Sequence, residues 1–317
     1  MSVVAICHPG NLLGKELRET LGRGEGELSA SEVRLVSTRA AEIGTLTEVG
    51  GSAAIVQPYE PESLERVDVA FFCGPIAANR PLLAALPEGI TAVVLSPDAE
   101  PSDGQPVVAG VNDGAAQRGA VLLSPHPAVV LLSLLLHPLR ELEPLAATAT
   151  LVQPVSVYDD SGLEELFDQS RQILTMTQRR RSKVFGAQLA FNLLPAAPAV
   201  TPLAAIEELL GAVLPAPRPV AVEIVQGGIF HCYAASLHVR LTGDPDLPAL
   251  RKALRGAPHL ATAADTAHLG PIDAAAADKV LLGAPRRDAG GCWLWAVMDN
   301  LTRGGALNAL AIAHAAL

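Results

Sequence analysis

Val3-Val4-Ala5-Ile6-Cys7-His8-Pro9-Gly10-Asn11-Leu12-Leu13-Gly14 opens the chain with an apolar run, a turn of strand- and helix-breaking residues, and a helical pattern that continues to Leu21. Strand, turn and helix in this order form the unit of a parallel α/β sheet. The pattern recurs downstream, with strand-like runs at Val33–Val36, Val67–Phe72 and Ala92–Leu95 and a helical run at Pro81–Leu86. Val69–Phe72 and Ala92–Leu95 lack polar alternation, as strands covered on both faces do. The first third therefore predicts α/β architecture with a doubly wound parallel sheet of Rossmann type.

Composition narrows the function. Half of the 317 residues are hydrophobic, 18% are charged and only 3% aromatic, so the core is aliphatic and the length suffices for two domains. Lys and Arg number 23 against 33 Asp and Glu, a net charge of −10 with no basic stripe, which argues against a nucleic-acid partner. Cys7, Cys73, Cys232 and Cys292 form no CxxC pair and no zinc-like spacing, so a reduced, cytoplasmic protein without metal is expected. The N-terminus lacks the pattern of a signal peptide. Val121 to Leu139 is the most membrane-like stretch, but Pro125, Pro127 and Pro138 leave about ten helical residues, half of what a bilayer requires. A buried helix is expected there and no membrane partner.

Beyond Pro127 the texture changes. A buried helix (Ala128–His137) precedes a strand candidate (Ala147–Val157), then a helix opening near Ser161 with Glu164 at the capping-box position. The basic cluster Arg179, Arg180, Arg181 and Lys183 reads as solvated loop or interface charge, or as an anion site. A connector, Pro195–Pro202, leads to β-like segments Val220–Val225 and Ala234–Leu241, consistent with a second α+β domain built on a mixed sheet. The chain closes with an Ala/Leu helix, Ala306–Leu317.

The turn Cys7–Gly14 is where a dinucleotide pyrophosphate would approach a helix N-terminus. Of a GxxGxxG spacing only Gly14 remains, with His8 and Asn11 in the other two places. This is either a weakened nucleotide loop or a tight turn that binds nothing. At the other end, Leu294-Trp295-Ala296-Val297-Met298-Asp299-Asn300-Leu301-Thr302-Arg303-Gly304-Gly305-Ala306-Leu307-Asn308-Ala309 resembles the closing motif of aspartate-semialdehyde dehydrogenases, VVSDNLRKGAALNA. Phe71–Gly74 resembles that family's LFSAGG turn, Val107–Asn112 its VVPEVN, Val155-Ser156 its VSGAG and Phe191-Asn192 its FN segment. These blocks span nearly the whole chain in the family's order.

The resemblance implies a nucleotide domain of residues 1–126 completed by the C-terminal helix of 299–317, and a dimerisation and substrate domain of 127–298. It further implies a homodimer, NADP as cofactor, and a cysteine thiolate and a histidine acting on an aldehyde or acyl phosphate. Gly10, Asn11, Gly14, Ser37, Arg39, Gly74 and Asn300 fall at cofactor-facing positions, Ser37 and Arg39 matching an SxRS segment that would hold the NADP phosphate. Gln153 matches the active-site glutamine of TYQAVSGAG, or is a polar residue closing a strand.

The catalytic positions depart from the pattern. Pro127 stands at the nucleophile position of ANPNCST. In the block matching RVPVxxGHS, Gln226 replaces the substrate-binding arginine and Tyr233 the base, and a phenol with a pKa of about 10 is a poor base near neutrality. The family's Lys/Glu helix is not recognisable around Ile206–Leu209. The leading expectation is a catalytically silent homologue, similar to the Usg-type branch, serving as a dimeric binding or partner module. The alternative is an active NADP-dependent reductase using relocated groups, Cys73, Cys232 or His231; support of an active paralogue by heterodimerisation is a third possibility.

Overall fold

Short apolar segments become strands here and the amphipathic ones between them become helices. The computed structural model describes residues 2–177, 182–197, 202–215, 219–243, 247–288 and 290–317. In chain order the elements are β1 (Ser2–Cys7), α1 (Leu12–Gly22), β2 (Ala30–Ser37), β3 (Leu46–Val49), β4 (Ser52–Ile55), β5 (Gln57–Pro58), β6 (Val69–Phe72), α2 (Ile76–Ala84), β7 (Thr91–Val94), β8 (Gln105–Pro106), β9 (Val121–Leu123) and α3 (Pro127–Leu136). There follow β10 (Pro144–Gln153), α4 (Asp159–Leu174), β11 (Leu193–Pro195), α5 (Leu203–Val213), β12 (Val220–Gly227), β13 (Tyr233–Leu241), α6 (Leu247–Arg255), β14 (Leu260–Thr262), β15 (Val280–Leu282), β16 (Arg286–Asp288), β17 (Gly291–Met298) and α7 (Leu307–Ala316). The chain divides into two units, one of Met1–Leu134, Glu208–Leu214 and Leu301–Leu317, the other of Leu135–Glu207 and Pro215–Asn300.

The first unit holds a seven-stranded sheet in the order β5-β2-β1-β6-β7-β9-β8, parallel at every pairing. From β1 the chain winds outward first through β2 and then, in the other direction, through β6 and β7. The order therefore reverses between β1 and β6, the place where such sheets leave a crevice at their carboxyl ends. Val4, Ile6, Val69, Phe71 and Val93 pack in one core cluster with Leu17 and Leu21 of α1 and Leu310 and Ala313 of α7. The alternate residues Ala5, Cys7, Ala70, Phe72, Ala92 and Val94 are equally buried. Burial on both faces explains the unbroken apolar runs.

The second unit carries the expected mixed sheet, β11-β12-β10-β13-β17-β15-β14 with β16 paired to β17. β10 runs parallel to β12 and antiparallel to β13. Ala147, Ala149 and Leu151 of β10 are buried while Thr148 and Thr150 are exposed, the period-two signature of a sheet covered on one face.

The structure corrects two helix starts. α2 begins at Ile76, whose backbone N–H donates to Asp98 Oδ1 at 3.0 Å, so Pro81 lies within the helix instead of opening it. α4 begins at Asp159, and Ser161 does not cap it; its hydroxyl donates back to the Tyr158 carbonyl at 2.7 Å. The expected buried helix is α3, ten residues long, and no helix among the described residues is long and apolar enough to cross a membrane. Of the basic cluster, Arg179, Arg180 and Arg181 lie outside the described residues, while the backbone N–H of Lys183 donates to Glu165 Oε2 at 2.9 Å. Residues 198–201 of the Pro/Ala connector also lie outside them.

Phe71, with no exposed surface in the first unit's core, sets a measurable scale. Phe71→Ala is expected to lower stability by about 3–5 kcal/mol, read from the shift in the urea midpoint.

Candidate functional site

The nucleophile position opens α3. Pro127 is its first residue, where a missing N–H costs nothing because the first amides of a helix have no intrahelical acceptor. His126, just before it, is buried, and its Nδ1 accepts from the backbone N–H of Ala128 at 3.1 Å. That bond assigns the imidazole proton to Nε2. Burial lowers the His126 pKa from 6.5 to about 4, so the ring is neutral near pH 7. A neutral imidazole thus caps the helix end that would activate a thiolate. The sequence offered only a histidine before a helix-opening proline, and its capping role went unread.

In the second unit, the parallel register of β10 and β12 sets Gln153 opposite Gln226, and the antiparallel register with β13 carries Tyr233 to the same end. Tyr233 Oη donates to Gln153 Oε1 at 2.9 Å, and Gln153 Nε2 donates to Gln226 Oε1 at 2.7 Å. Gln226 Nε2 then donates to the carbonyls of Gln153 at 3.0 Å and Gly227 at 3.1 Å. None of the three side chains is more than 1% exposed. The positions expected for base, substrate glutamine and substrate arginine therefore meet, 73 and 80 residues apart in sequence, in a chain of neutral groups. Burial pushes the Tyr233 phenol well above its ordinary pKa, so it acts as a donor and not as a base.

Asn300 closes a second knot in this unit. Its Oδ1 accepts from the backbone N–H of Cys232 at 3.0 Å, and its Nδ2 bonds Ser156 Oγ at 3.0 Å. This holds Cys232 at φ +73°, a conformation unusual for a residue with a side chain. The Cys232 thiol is raised by burial and, after it, by Asp299. Cys73 is likewise buried and pushed up to about 12, by burial first and by Glu42 second. Both thiols are buried, without the exposure that marks a reactive nucleophile. His231 is half-buried in the loop before β13. The segment Ile206–Leu209 lies in α5, with Glu207 and Glu208 exposed.

In the first unit the β1–α1 turn is built by its own side chains. Asn11 caps α1, its Oδ1 accepting from Gly14 N–H at 2.8 Å. A Cβ on Gly14 would stand 2.7 Å from the Pro9 carbonyl, so this glycine is required by the backbone alone. His8 takes φ +56° and is wholly buried, its ring reaching Asn79 Oδ1 and Thr38 Oγ1, each at 2.9 Å. Gly74, at φ +83°, faces the His8 Cβ. Ser37 Oγ accepts from the Arg39 backbone N–H at 3.0 Å, and the Arg39 guanidinium pairs with Glu42 Oε1 at 2.8 Å. Glu42, absent from the sequence expectations, is 8% exposed, and its Oε2 has no hydrogen-bond partner among the described residues. The same carboxylate lies against Gly10, where a Cβ would come within 2.8 Å of Oε1. Among the described residues no group of three or more His, Cys, Asp or Glu is placed to hold a metal ion.

The chain thus has one unit with a doubly wound parallel sheet and another with a mixed sheet whose strands carry a Gln/Gln/Tyr chain, an α/β protein of two units. The chain is 29% identical to a USG-1 protein homolog of Azotobacter vinelandii over 98% of this chain and 96% of that one. It is 24% identical to the aspartate-semialdehyde dehydrogenase of Bacillus subtilis, again over 98% and 96%. A solved probable aspartate-semialdehyde dehydrogenase from Pseudomonas aeruginosa superimposes with a TM-score of 0.88 at 24% identity, covering 98% of this chain and 97% of that one. The enzyme from Candida albicans, solved with NADP, gives 0.71 at 14% identity over 99% and 98%. No family model matches. Over nearly its whole length the chain is thus similar to aspartate-semialdehyde dehydrogenases and to USG-1 protein homologs.

The residues at the turn do not fit NADP. A 2′-phosphate needs cationic and donor groups, whereas Arg39 is already paired with the buried Glu42 carboxylate. His8 adds a side chain where the resemblance places a glycine.

Three outcomes follow. Gly14→Ala is expected to cost about 1–3 kcal/mol by overpacking against the backbone, whereas Asn11→Gly costs only a few tenths of a kcal/mol as a cap replacement; thermal denaturation separates them. Tyr233→Phe strips the donor from Gln153 Oε1 and is expected to lower stability by about 1–3 kcal/mol. For His126, the unfolded chain takes up a proton near pH 6.5 and the native one not until about pH 4. Its contribution is therefore full above pH 6.5 and lost progressively toward pH 4, by up to about 3 kcal/mol. His126→Asn keeps a capping acceptor and is expected to flatten that acid limb in urea titrations between pH 7.5 and 4.5.

Proposed function

We propose that this chain is a catalytically silent member of the aspartate-semialdehyde dehydrogenase line, working in the cytoplasm as a homodimeric binding or partner module. The observation that carries the reading is the closed chain Tyr233–Gln153–Gln226. Acyl transfer through a thioester requires a thiolate, a group that moves its proton, and a cation to hold the substrate carboxylate. Here Pro127 supplies no thiol, Tyr233 holds its proton in a bond to Gln153, and Gln226 is neutral and spends its amide on backbone carbonyls.

The test is turnover of the purified full-length protein with aspartate semialdehyde and phosphate in the presence of NADP⁺ or NAD⁺, followed by cofactor absorbance. Background rates are expected, and a rate that thiol alkylation abolishes would overturn the reading. The double variant Pro127→Cys with Tyr233→His is also expected to stay near background, because Gln226 still offers no cation to the substrate carboxylate. Light scattering is expected to give twice the chain mass.

A further inference from the structure

We propose that the β1–α1 turn is a binding site for a nucleotide ribose with both hydroxyls free, that Glu42 is its specificity-determining residue, and that a 2′-phosphate is excluded. The proposal goes beyond catalytic silence and concerns binding alone.

Two independent features meet at this place. The first is the turn itself, at the carboxyl end of β1 on the sheet's switch point, leading into the eleven-residue helix α1 with Gly10 exposed. The second is Glu42, a residue 8% exposed, whose carboxylate lies beside Gly10 with Oε1 held by Arg39 and a buried Oε2 that has no hydrogen-bond partner among the described residues. A buried carboxylate oxygen with no donor is costly, and a ligand that brings donors relieves that cost. A vicinal diol brings two. In nucleotide folds of this type an acidic side chain beyond the second strand accepts from ribose hydroxyls, whereas a 2′-phosphate calls for an unpaired arginine. Arg39 is the arginine at hand, and its guanidinium is committed to Glu42 at 2.8 Å. The influence of Glu42 on Cys73 puts the carboxylate within electrostatic reach of the end of β6, on the other side of the switch point. A phosphate placed there would bring negative charge against that carboxylate; Arg18, the cation that also acts on Cys73, is turned to Thr47 Oγ1 and the Glu48 carbonyl.

The same diol is carried by a dinucleotide and by a simple mononucleotide, and both are probes. Isothermal titration of the full-length protein with NAD⁺, AMP and NADP⁺ is expected to show NAD⁺ binding at least about tenfold tighter than NADP⁺. AMP binding as tightly as NAD⁺ would identify a mononucleotide site; AMP binding much more weakly would identify a dinucleotide site. Glu42→Gln keeps the side chain's shape and is expected to weaken NAD⁺ and to bring the two dinucleotides within about threefold of each other. Arg39→Ala is expected to leave NADP⁺ no weaker than in the parent protein. NADP⁺ binding as tightly as NAD⁺, a loss of NADP⁺ affinity in Arg39→Ala, or no binding of NAD⁺ and AMP at millimolar concentration would each overturn the proposal. Absence of binding leaves the silent reading standing, whereas turnover overturns that reading and leaves selectivity to be decided by the affinity ratio.

Discussion

A polar side chain with no exposure must find its partners inside the protein, because an unmade hydrogen bond there costs more than a made one returns. Gln153 is such a side chain, and the carboxyl end of β10 is organised around it. Its carbonyl oxygen takes the phenol of Tyr233 and its amide reaches Gln226, which in turn closes on the backbone of β10 and β12. Three neighbouring strands are thereby pinned at one end by neutral bonds. The arrangement carries no charge, so nothing in it demands water or a counter-ion.

The sheet of the first unit was readable because burial on both faces leaves unbroken apolar strands such as Val69–Phe72, and α3 because three prolines bracket an aliphatic run. The β3–β4 hairpin was not readable. Its residues alternate without a clear apolar face, and Leu46 and Ile55, paired across it, are 72% and 57% exposed. β17 was quoted as a motif without being recognised as a central strand. Its longest pairing is with β13, which is remote in sequence, and pairing of that kind leaves no local signal. At the site, Gln153, Gln226 and Tyr233 were found through resemblance to a family pattern, but their mutual bonding was invisible, since register between β10, β12 and β13 is a property of the folded sheet. Glu42 was missed for a different reason. It lies five residues beyond β2, and an acidic residue in a loop is unremarkable until the glycine of the β1–α1 turn is seen against it.

The β1–α1 turn separates what a backbone needs from what a ligand needs. Gly14 is retained where a Cβ would collide with the Pro9 backbone, a demand that exists with or without a nucleotide. At the other two glycine places the substituents are ones the local backbone accepts. Asn11 caps the helix, and His8 adopts a left-handed conformation, which histidine tolerates better than most residues. The strain at His8 is offset by two hydrogen bonds, to Asn79 and Thr38.

Charge is distributed in the same sense throughout. Where thioester chemistry would call for a thiolate at a helix N-terminus, α3 has a proline and a neutral histidine whose ring nitrogen caps the helix. Where it would call for a guanidinium, β12 has a glutamine. Ionised groups kept buried for catalysis are expensive and hold their place only while a ligand or counter-charge supports them. Neutral groups that satisfy one another need no such support. Glu42 departs from this pattern, a buried carboxylate paired with Arg39 through one oxygen, and by the same reasoning a group whose second oxygen calls for a donor from outside the chain.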